Sequence, residues 1–209
     1  MPRYLTPSAA RRFYDRIGRL EDTQAFYEDP ALDVLIREGG FDTARRVMEF
    51  GCGTGRLAER LLSGPLPDLA RYAACDISAE MIDISRARLA RFGSRVTLWQ
   101  SSGIIDFAPG HPPFDRIVTS YVLDLLPPGR IDRFIDAAHA ALTPGGRLCV
   151  ASITAGARWP ASMITGAWRL LFRVSPLLVG GCRPIHPSRR LSADRWAIRH
   201  RSVRTAWGI

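Results

Sequence analysis

The sequence predicts an α/β fold: a Rossmann-like, doubly wound, mainly parallel sheet with helices on both faces. Three observations predict it. Short apolar runs alternate with helix-period segments between Arg46 and Ile153, the pattern of βαβ units. The first run leads into a glycine cluster, "EFGCGTG" at Glu49 to Gly55, placed where a strand gives way to a helix. The second run closes on an acid, Asp76. At 209 residues the chain suits one domain with a full core.

Each element follows from its local pattern. Residues 7–20 form a helix with Phe13, Ile17 and Leu20 on one stripe. Asp29 followed by Pro30 starts a second helix, which Gly39 and Gly40 end. Strands are expected at Arg46–Phe50, 72–76, Val96–Gln100, Phe114–Ser120 and 147–153, with helices at 55–62, 79–92 and 130–142. A sixth strand is expected at 196–207, from the alternation of Ile198, His200, Ser202 and Arg204. The organisation reads as an N-terminal helical lid (1–45), a binding core (46–153), an insertion (154–187), and a C-terminal helix and strand (188–209).

Composition narrows the function. No run of 18 apolar residues exists, so no membrane-spanning helix is expected. The amino terminus has arginines but no apolar stretch of the secretory type. Cys52, Cys75, Cys149 and Cys182 lie far apart, which argues against a metal site or a disulfide framework and for reduced thiols in a cytoplasm. All 29 basic residues are arginine. From Arg158 onward there are ten arginines and one acid, Asp194, while the part before Arg158 is neutral. That surplus of +9 suits either a solvated surface or contact with phosphates, of nucleic acid or of an anionic membrane.

The glycines ask what lies against their backbone. Gly51, Gly53 and Gly55 match GxGxG, and Arg56 stands where a dinucleotide fingerprint has its third glycine. Asp76, 21 residues beyond Gly55, suits ribose hydroxyls. Glu49 lies beside the loop, where a pyrophosphate would repel it but an ammonium or sulfonium would not. A nucleoside without phosphates fits, which disfavours a nicotinamide oxidoreductase.

These residues together resemble class I S-adenosylmethionine-dependent methyltransferases, over about Arg46 to Ser152. "EFGCGTG" resembles the family's first motif, "CDIS" the second, "FDRIVTSYVLDLLP" the fourth-strand motif and "LTPGGRLCV" the turn before the fifth strand. The nearest likeness is the small-molecule and quinone or lipid group, and "FYDRIG" is similar to its N-terminal lid. The resemblance implies S-adenosylmethionine as cofactor. It places Gly51, Cys52, Gly53 and Gly55 along the methionine part, Glu49 near its amine, Asp76 on the ribose and Ile77 against adenine. Ser120, at the end of the fourth strand, joins this set. Ser101 and Ser102 stand where the group often has Gly-Asp, so adenine meets a neutral hydroxyl there, and Gly103 beside them joins the cofactor-binding set.

Plainer structural readings stand beside these. The glycines suit a tight turn, Asp76 a helix N-cap, and Glu49 an incidental strand-end acid. Tyr121 and Asp124 follow the fourth strand toward the acceptor side, and Asp124 is either a base or a cap of the next helix. His186 is a third catalytic candidate; His111, His139 and His200 read as surface residues. In the 158–184 stretch, Ile164, Ala167, Trp168 and Leu171 form a stripe beside Arg169 and Arg173. It reads as a packed helix or as a lid touching a membrane.

The expected activity is methyl transfer to a small, apolar or lipid-like acceptor, in the cytoplasm and peripherally at an anionic membrane through the stretch from Arg158 to Arg204. A nucleic-acid methyltransferase is disfavoured, because neither an Asn-Pro-Pro-Tyr-like run nor a Pro-Cys pair is present; a non-catalytic scaffold remains a rival. The family likeness implies a seventh, antiparallel strand that the chain stops short of at Ile209. Six strands are therefore expected, with an open sheet edge available for self-association.

Overall fold

The computed structural model describes residues 4–18, 25–105, 107, 112–155, 166, 168, 170–172, 174 and 181–204. Five helices and five strands organise them: α1 (Pro7–Ile17), α2 (Ala25–Glu38), β1 (Arg46–Phe50), α3 (Arg56–Ser63), β2 (Arg71–Asp76), α4 (Ala79–Leu89), β3 (Val96–Gln100), β4 (Phe114–Ser120), α5 (Pro128–Ala141) and β5 (Leu142–Ala151). The strands make one sheet in the order β3-β2-β1-β4-β5, and every pairing is parallel. The strand order reverses direction between β1 and β4, and a crevice opens at the carboxyl ends of such neighbours.

Two apolar layers cover the sheet. On one face Val47, Tyr72, Ala74 and Val118 meet Leu57, Leu61 and Leu62 of α3, Ile82 and Leu89 of α4, and Leu32 and Leu35 of α2. On the other Met48, Phe50, Cys75 and Ile117 meet Ile131, Phe134 and Ala138 of α5, with Phe107 and Ile185 closing the layer. Alternate residues of one strand feed opposite layers, as the pleat requires. Both faces are covered, so the central strands read as nearly continuous apolar runs.

Several expectations need correction. α2 begins at Ala25 and runs through Pro30; Asp29 does not cap it. The proline removes one helical hydrogen bond, while Glu28 and Asp29 are tied to Arg56, and Asp29 and Asp33 to Arg60, on α3. α1 stops at Ile17, where Gly18 caps it; Leu20 lies outside the described residues. α4 ends at Leu89, and a 3-10 segment, Ala90–Arg95, leads into β3. β5 starts at Leu142 and carries an irregularity opposite Phe114 and Arg116.

Among the described residues the expected C-terminal helix and sixth strand are not formed. A short 3-10 turn, Pro187–Arg190, is followed by chain without regular secondary structure over 196–204; 205–209 lie outside the described residues. Side chains hold this segment to α5 instead of a backbone ladder. Arg190 pairs with Asp132, Arg195 with Asp136, and the Trp196 ring meets His139 edge-on at 5.2 Å. Ile198 and Val203, on opposite phases of the alternation, are both more than half exposed, so neither face of the period-2 pattern there is buried. Among the described residues the sheet has five strands, with β3 and β5 at its edges.

Candidate functional site

The crevice is built first from backbone. Gly51, Gly53 and Gly55 all take positive φ, at 75°, 51° and 79°, a region side chains disfavour. The amides of Gly51 and Cys52 both donate to the carbonyl of Cys75, at 2.9 and 3.0 Å. A Cβ on Gly51 would lie 2.3 Å from Cγ2 of Val122, and one on Gly55 2.8 Å from Oγ of Ser85. The loop is therefore pressed between β2, the loop after β4, and α4.

Asp76 ties this loop to the next element. Its Oδ2 accepts from the Gly53 amide at 2.9 Å and its Oδ1 from the Ser78 amide at 2.9 Å. Ser78, not Asp76, is the N-cap of α4, accepting from Met81. The Ser78 hydroxyl also donates to Asp15 of α1 at 2.6 Å, which docks the N-terminal helix over this corner. Burial raises the Asp76 carboxyl above the usual carboxylate range, against the three backbone amides that lower it.

Glu49 lies beneath the loop. It is 1 % exposed, and its Oε2 accepts from the Tyr72 hydroxyl at 2.8 Å. Burial pushes its carboxyl up to about 8, opposed by the Tyr72 hydrogen bond and helped by the nearby Asp76. The acid is thus largely neutral at pH 7.

At the far corner, Ser101 directly follows β3. Its amide donates to the Asp76 carbonyl at 2.7 Å and its hydroxyl accepts from Gly103 at 3.0 Å. The Ser102 hydroxyl accepts from Ile104 at 3.5 Å, and its residue is exposed. Gly103, at φ 85°, sits where a Cβ would touch Ile77 and Pro7. Ile77, Gly103 and the start of α1 therefore enclose one small corner between β2 and β3.

The other half follows β4. Ser120 ends the strand, and Tyr121 takes φ 56°, the one positive-φ residue other than glycine among the described residues. Such strain concentrates at functional sites. Burial raises the Tyr121 hydroxyl well above its usual value, with Glu28, Asp124 and Asp29 adding to it. Asp124 is fully buried in a 3-10 turn, Leu123–Leu125. Its Oδ2 accepts from the Ile153 amide at 3.4 Å, joining the loops after β4 and β5, while Oδ1 has no partner among the described residues. Burial pushes this carboxyl up to about 7. Asp124 does not cap α5, whose N-cap is Pro127.

The segment after β5 folds back onto this loop. The Ile185 amide donates to Ile153 and the Arg183 amide to the Asp124 carbonyl, at 2.9 and 3.2 Å. His186 Nδ1 lies 3.1 Å from the Thr154 hydroxyl. Arg183 donates to the Leu126 carbonyl and stands over the Tyr4 ring, 5.3 Å from its centre.

With this geometry in place, likeness to known proteins can be read. Residues 48–148 match the family described as "Methyltransferase domain". The chain carries a methyltransferase domain. It is 27% identical over 151 residues to the tRNA N(3)-methylcytidine methyltransferase Mettl2 of Drosophila melanogaster, covering 66% of this chain and 46% of that protein. It is 26% identical over 117 residues to N-terminal Xaa-Pro-Lys N-methyltransferase 1 of Xenopus tropicalis, covering 56% and 51%. A solved structure, the "DhpI-SAM-HEP complex", is 27% identical with a TM-score of 0.54, covering 70% of this chain and 65% of that one. The chain spans about half the length of the two curated relatives.

The methyltransferase domain fits S-adenosylmethionine on its own geometry. The glycine loop holds its backbone at the carboxyl ends of β1 and β2, packed on Val122 and Ser85. Asp76 uses two of its roughly four acceptor sites on the Gly53 and Ser78 amides, with the Ile77 amide a lesser neighbour, which leaves an acceptor for ribose hydroxyls. The structure brings Glu49, Gly51, Cys52, Gly53, Gly55, Asp76, Ile77 and Gly103 to this corner, with Ser101 and Ser102 at its rim. It brings Asp124, Thr154, Arg183 and His186 together on the other wall, apart from Tyr121, which faces the acidic start of α2. Sequence reading missed Val122, which packs on Gly51, the Asp15–Ser78 tie, and Arg183. Only Arg183 carried a signal, as part of the arginine-rich end.

Proposed function

We propose that this domain transfers a methyl group from S-adenosylmethionine to a small, apolar or lipid-like acceptor. The carrying observation is Asp76, which closes the glycine loop and the start of α4 on one carboxylate at the ends of β1 and β2. S-adenosylmethionine supplies a methyl group on a sulfonium, an electrophile needing little activation. Gly51, Cys52 and Gly53 hold its amino-acid part, Glu49 stands below for the amine, Asp76 takes the ribose hydroxyls, and Ile77 with Gly103 flanks the base.

The acceptor lies across from these groups, against the loops after β4 and β5. Holding donor and acceptor in line can supply about 7–11 kcal/mol of the barrier. The acceptor's nucleophilic atom gains the methyl group and loses a proton. Asp124, with a carboxyl raised to about 7, is the group suited to take that proton, with His186, bonded to Thr154 on the same wall, as a positioning residue; Tyr121, the third candidate, faces α2 instead. The test is native mass spectrometry of the protein purified from cells, followed by calorimetric titration with S-adenosylhomocysteine. Retained cofactor and measurable affinity are expected; no affinity for either cofactor form overturns the reading.

One observation favours a surface-bound acceptor. In the helical stretch after β5, Leu170 and Val174 are 62% and 73% exposed, and Leu171 is also open. Arg169, Arg173, Ile164 and Ala167 of the expected stripe lie outside the described residues. Exposed leucines beside arginines in sequence are the ingredients of an interfacial contact, which supports the reading of a cytoplasmic protein that docks peripherally on anionic lipid. Vesicle sedimentation separates this from the rivals. Pelleting with anionic vesicles supports it, and a salt-sensitive shift with RNA alone favours the nucleic-acid rival. Self-association through the β5 edge is read by light scattering.

A further inference from the structure

A cavity of about 500 Å³ lies where the segment after β5 folds back over α5. Its volume is in the range of small-molecule sites. Arg183, His186, Arg189 and Arg190 line it against one acid, Asp132, and its floor includes the buried Ile131 and Ile185. Asp132 is already spent: Arg190 Nη1 lies 2.5 Å from its Oδ1. Arg189 makes no ion pair among the described residues. Arg183 is tethered through Leu126 and Tyr4, yet its buried Nε has no partner among the described residues. A buried donor left unmade is costly, and a guanidinium fork matches the oxygens of a carboxylate or phosphate.

We propose that this cavity seats a phosphate or carboxylate group of the methyl acceptor, held by Arg183 and Arg189. The proposal rests on the methyltransferase reading and deepens it, giving the acceptor an anionic end. Arg183 links the two places. Its amide donates to the carbonyl of Asp124, so an anion on its guanidinium is anchored to the loop on which the reacting end would lie. The acceptor is then amphiphilic, with an apolar body and an anionic head, either free in solution or part of a lipid headgroup.

The test titrates the whole chain with inorganic phosphate, by calorimetry, for the wild type, Arg183→Gln, Arg189→Gln and Arg189→Lys. Loss of a charge-assisted contact is expected to weaken phosphate by about tenfold in each Gln variant, with Arg189→Lys recovering part. Arg189→Gln breaks no ion pair among the described residues, so it carries the test if Arg183→Gln unfolds. Phosphate that does not bind, or binds the Gln variants as it binds wild type, overturns the site. A second arm sediments the protein with vesicles of phosphatidylcholine alone or with phosphatidic acid. Pelleting that phosphate competes away assigns the anion to a lipid headgroup; phosphate binding without pelleting assigns it to a soluble acceptor. Titration with S-adenosylhomocysteine runs in parallel. Cofactor binding without phosphate binding sinks only the anion site, and phosphate binding without cofactor sinks only the methyltransferase reading.

Discussion

The two halves of the crevice are built differently. The half at the ends of β1 and β2 is closed by backbone: glycine amides on Cys75, amides of Gly53 and Ser78 on Asp76, and a buried acid, Glu49, satisfied by Tyr72. The half after β4 and β5 is closed by side chains together with two long-range backbone bonds, Arg183 to Asp124 and Ile185 to Ile153, and among the described residues it leaves Oδ1 of Asp124 and Nε of Arg183 unpartnered. The first half is complete before anything binds, as suits a constant nucleoside ligand. The second keeps uncompensated polar groups, each costing about 1–3 kcal/mol, which an acceptor of the right chemistry would relieve.

The contact between the halves gives the largest expected effect. Gly51 and Val122 meet there, and Gly51→Ala places a methyl 2.3 Å from Val122 Cγ2 on a left-handed backbone. The backbone costs about 1–2 kcal/mol and overpacking about 1–3 kcal/mol more. Urea unfolding should show a loss of about 2–5 kcal/mol. Adding Val122→Ala should restore the packing share and not the backbone share. A double variant as unstable as Gly51→Ala would show that the halves are not packed on each other here.

Next comes Asp76→Ala, which should weaken S-adenosylhomocysteine by about 1.5–3 kcal/mol, the scale of hydrogen bonds to a charged group. It also frees two amides, so thermal stability should fall with it. Calorimetry that finds wild-type affinity would remove Asp76 from the ribose and leave it as a loop tie alone.

Acidity separates the halves more finely. Glu49 is raised from 4.5 to about 8 and Asp124 from 3.8 to about 7, both by burial. Between the unfolded and folded values the folded state holds the extra proton. Stability is therefore full below the unfolded value and declines as pH rises, across about 4.5–8 for Glu49 and 3.8–7 for Asp124. Glu49→Gln keeps an acceptor for Tyr72 and needs no deprotonation. It should gain about 1–2 kcal/mol on wild type at alkaline pH and little in acid. Asp124→Asn should behave alike, with its gain complete at lower pH. The halves part on cofactor binding. An ammonium above Glu49 favours its charged form, so affinity should rise toward pH 8 in wild type and in Asp124→Asn, and stay flat in Glu49→Gln. A rise that persists in Glu49→Gln would take Glu49 away from the amine.

Legibility followed the same division. Glycine spacing, a strand-end acid and period-2 apolar runs carry backbone constraints, which are local; hence the four strands from β1 to β4 and the glycine loop were readable. The acceptor wall depends on contacts between residues far apart in sequence, such as Asp124 with Ile153 and Arg183, and no local pattern encodes those. The failed sixth strand teaches the converse: Ile198, His200, Ser202 and Arg204 alternate, but no strand pairs with them, and His200 meets only the side chain of Glu38 on α2 among the described residues. Pro30 misled as a helix start because ion pairs from Arg56 and Arg60 hold the turn that precedes it.

The smallest expected effect tests the rim of the cofactor half. Ser102 stands at the end of β3, near the corner enclosed by Ile77 and Gly103, and its hydroxyl bonds only its own loop at 3.5 Å. If the adenine amino group lies there, it meets a neutral acceptor. A neutral hydrogen bond contributes about 0.5–1.5 kcal/mol and one to a charged group about 1.5–3 kcal/mol. Ser102→Asp should therefore tighten S-adenosylhomocysteine by about 1 kcal/mol, roughly fivefold. The exposed position makes desolvation of the new carboxylate inexpensive, but it also screens the gain. Raising salt should erode part of the improvement. Inosine in place of adenosine in the ligand removes the amino donor, and with it the whole difference between Ser102→Asp and wild type. An improvement that survives with the inosine analogue would mean that the new charge acts on the ligand's ammonium from a distance, and the adenine corner would then lie elsewhere.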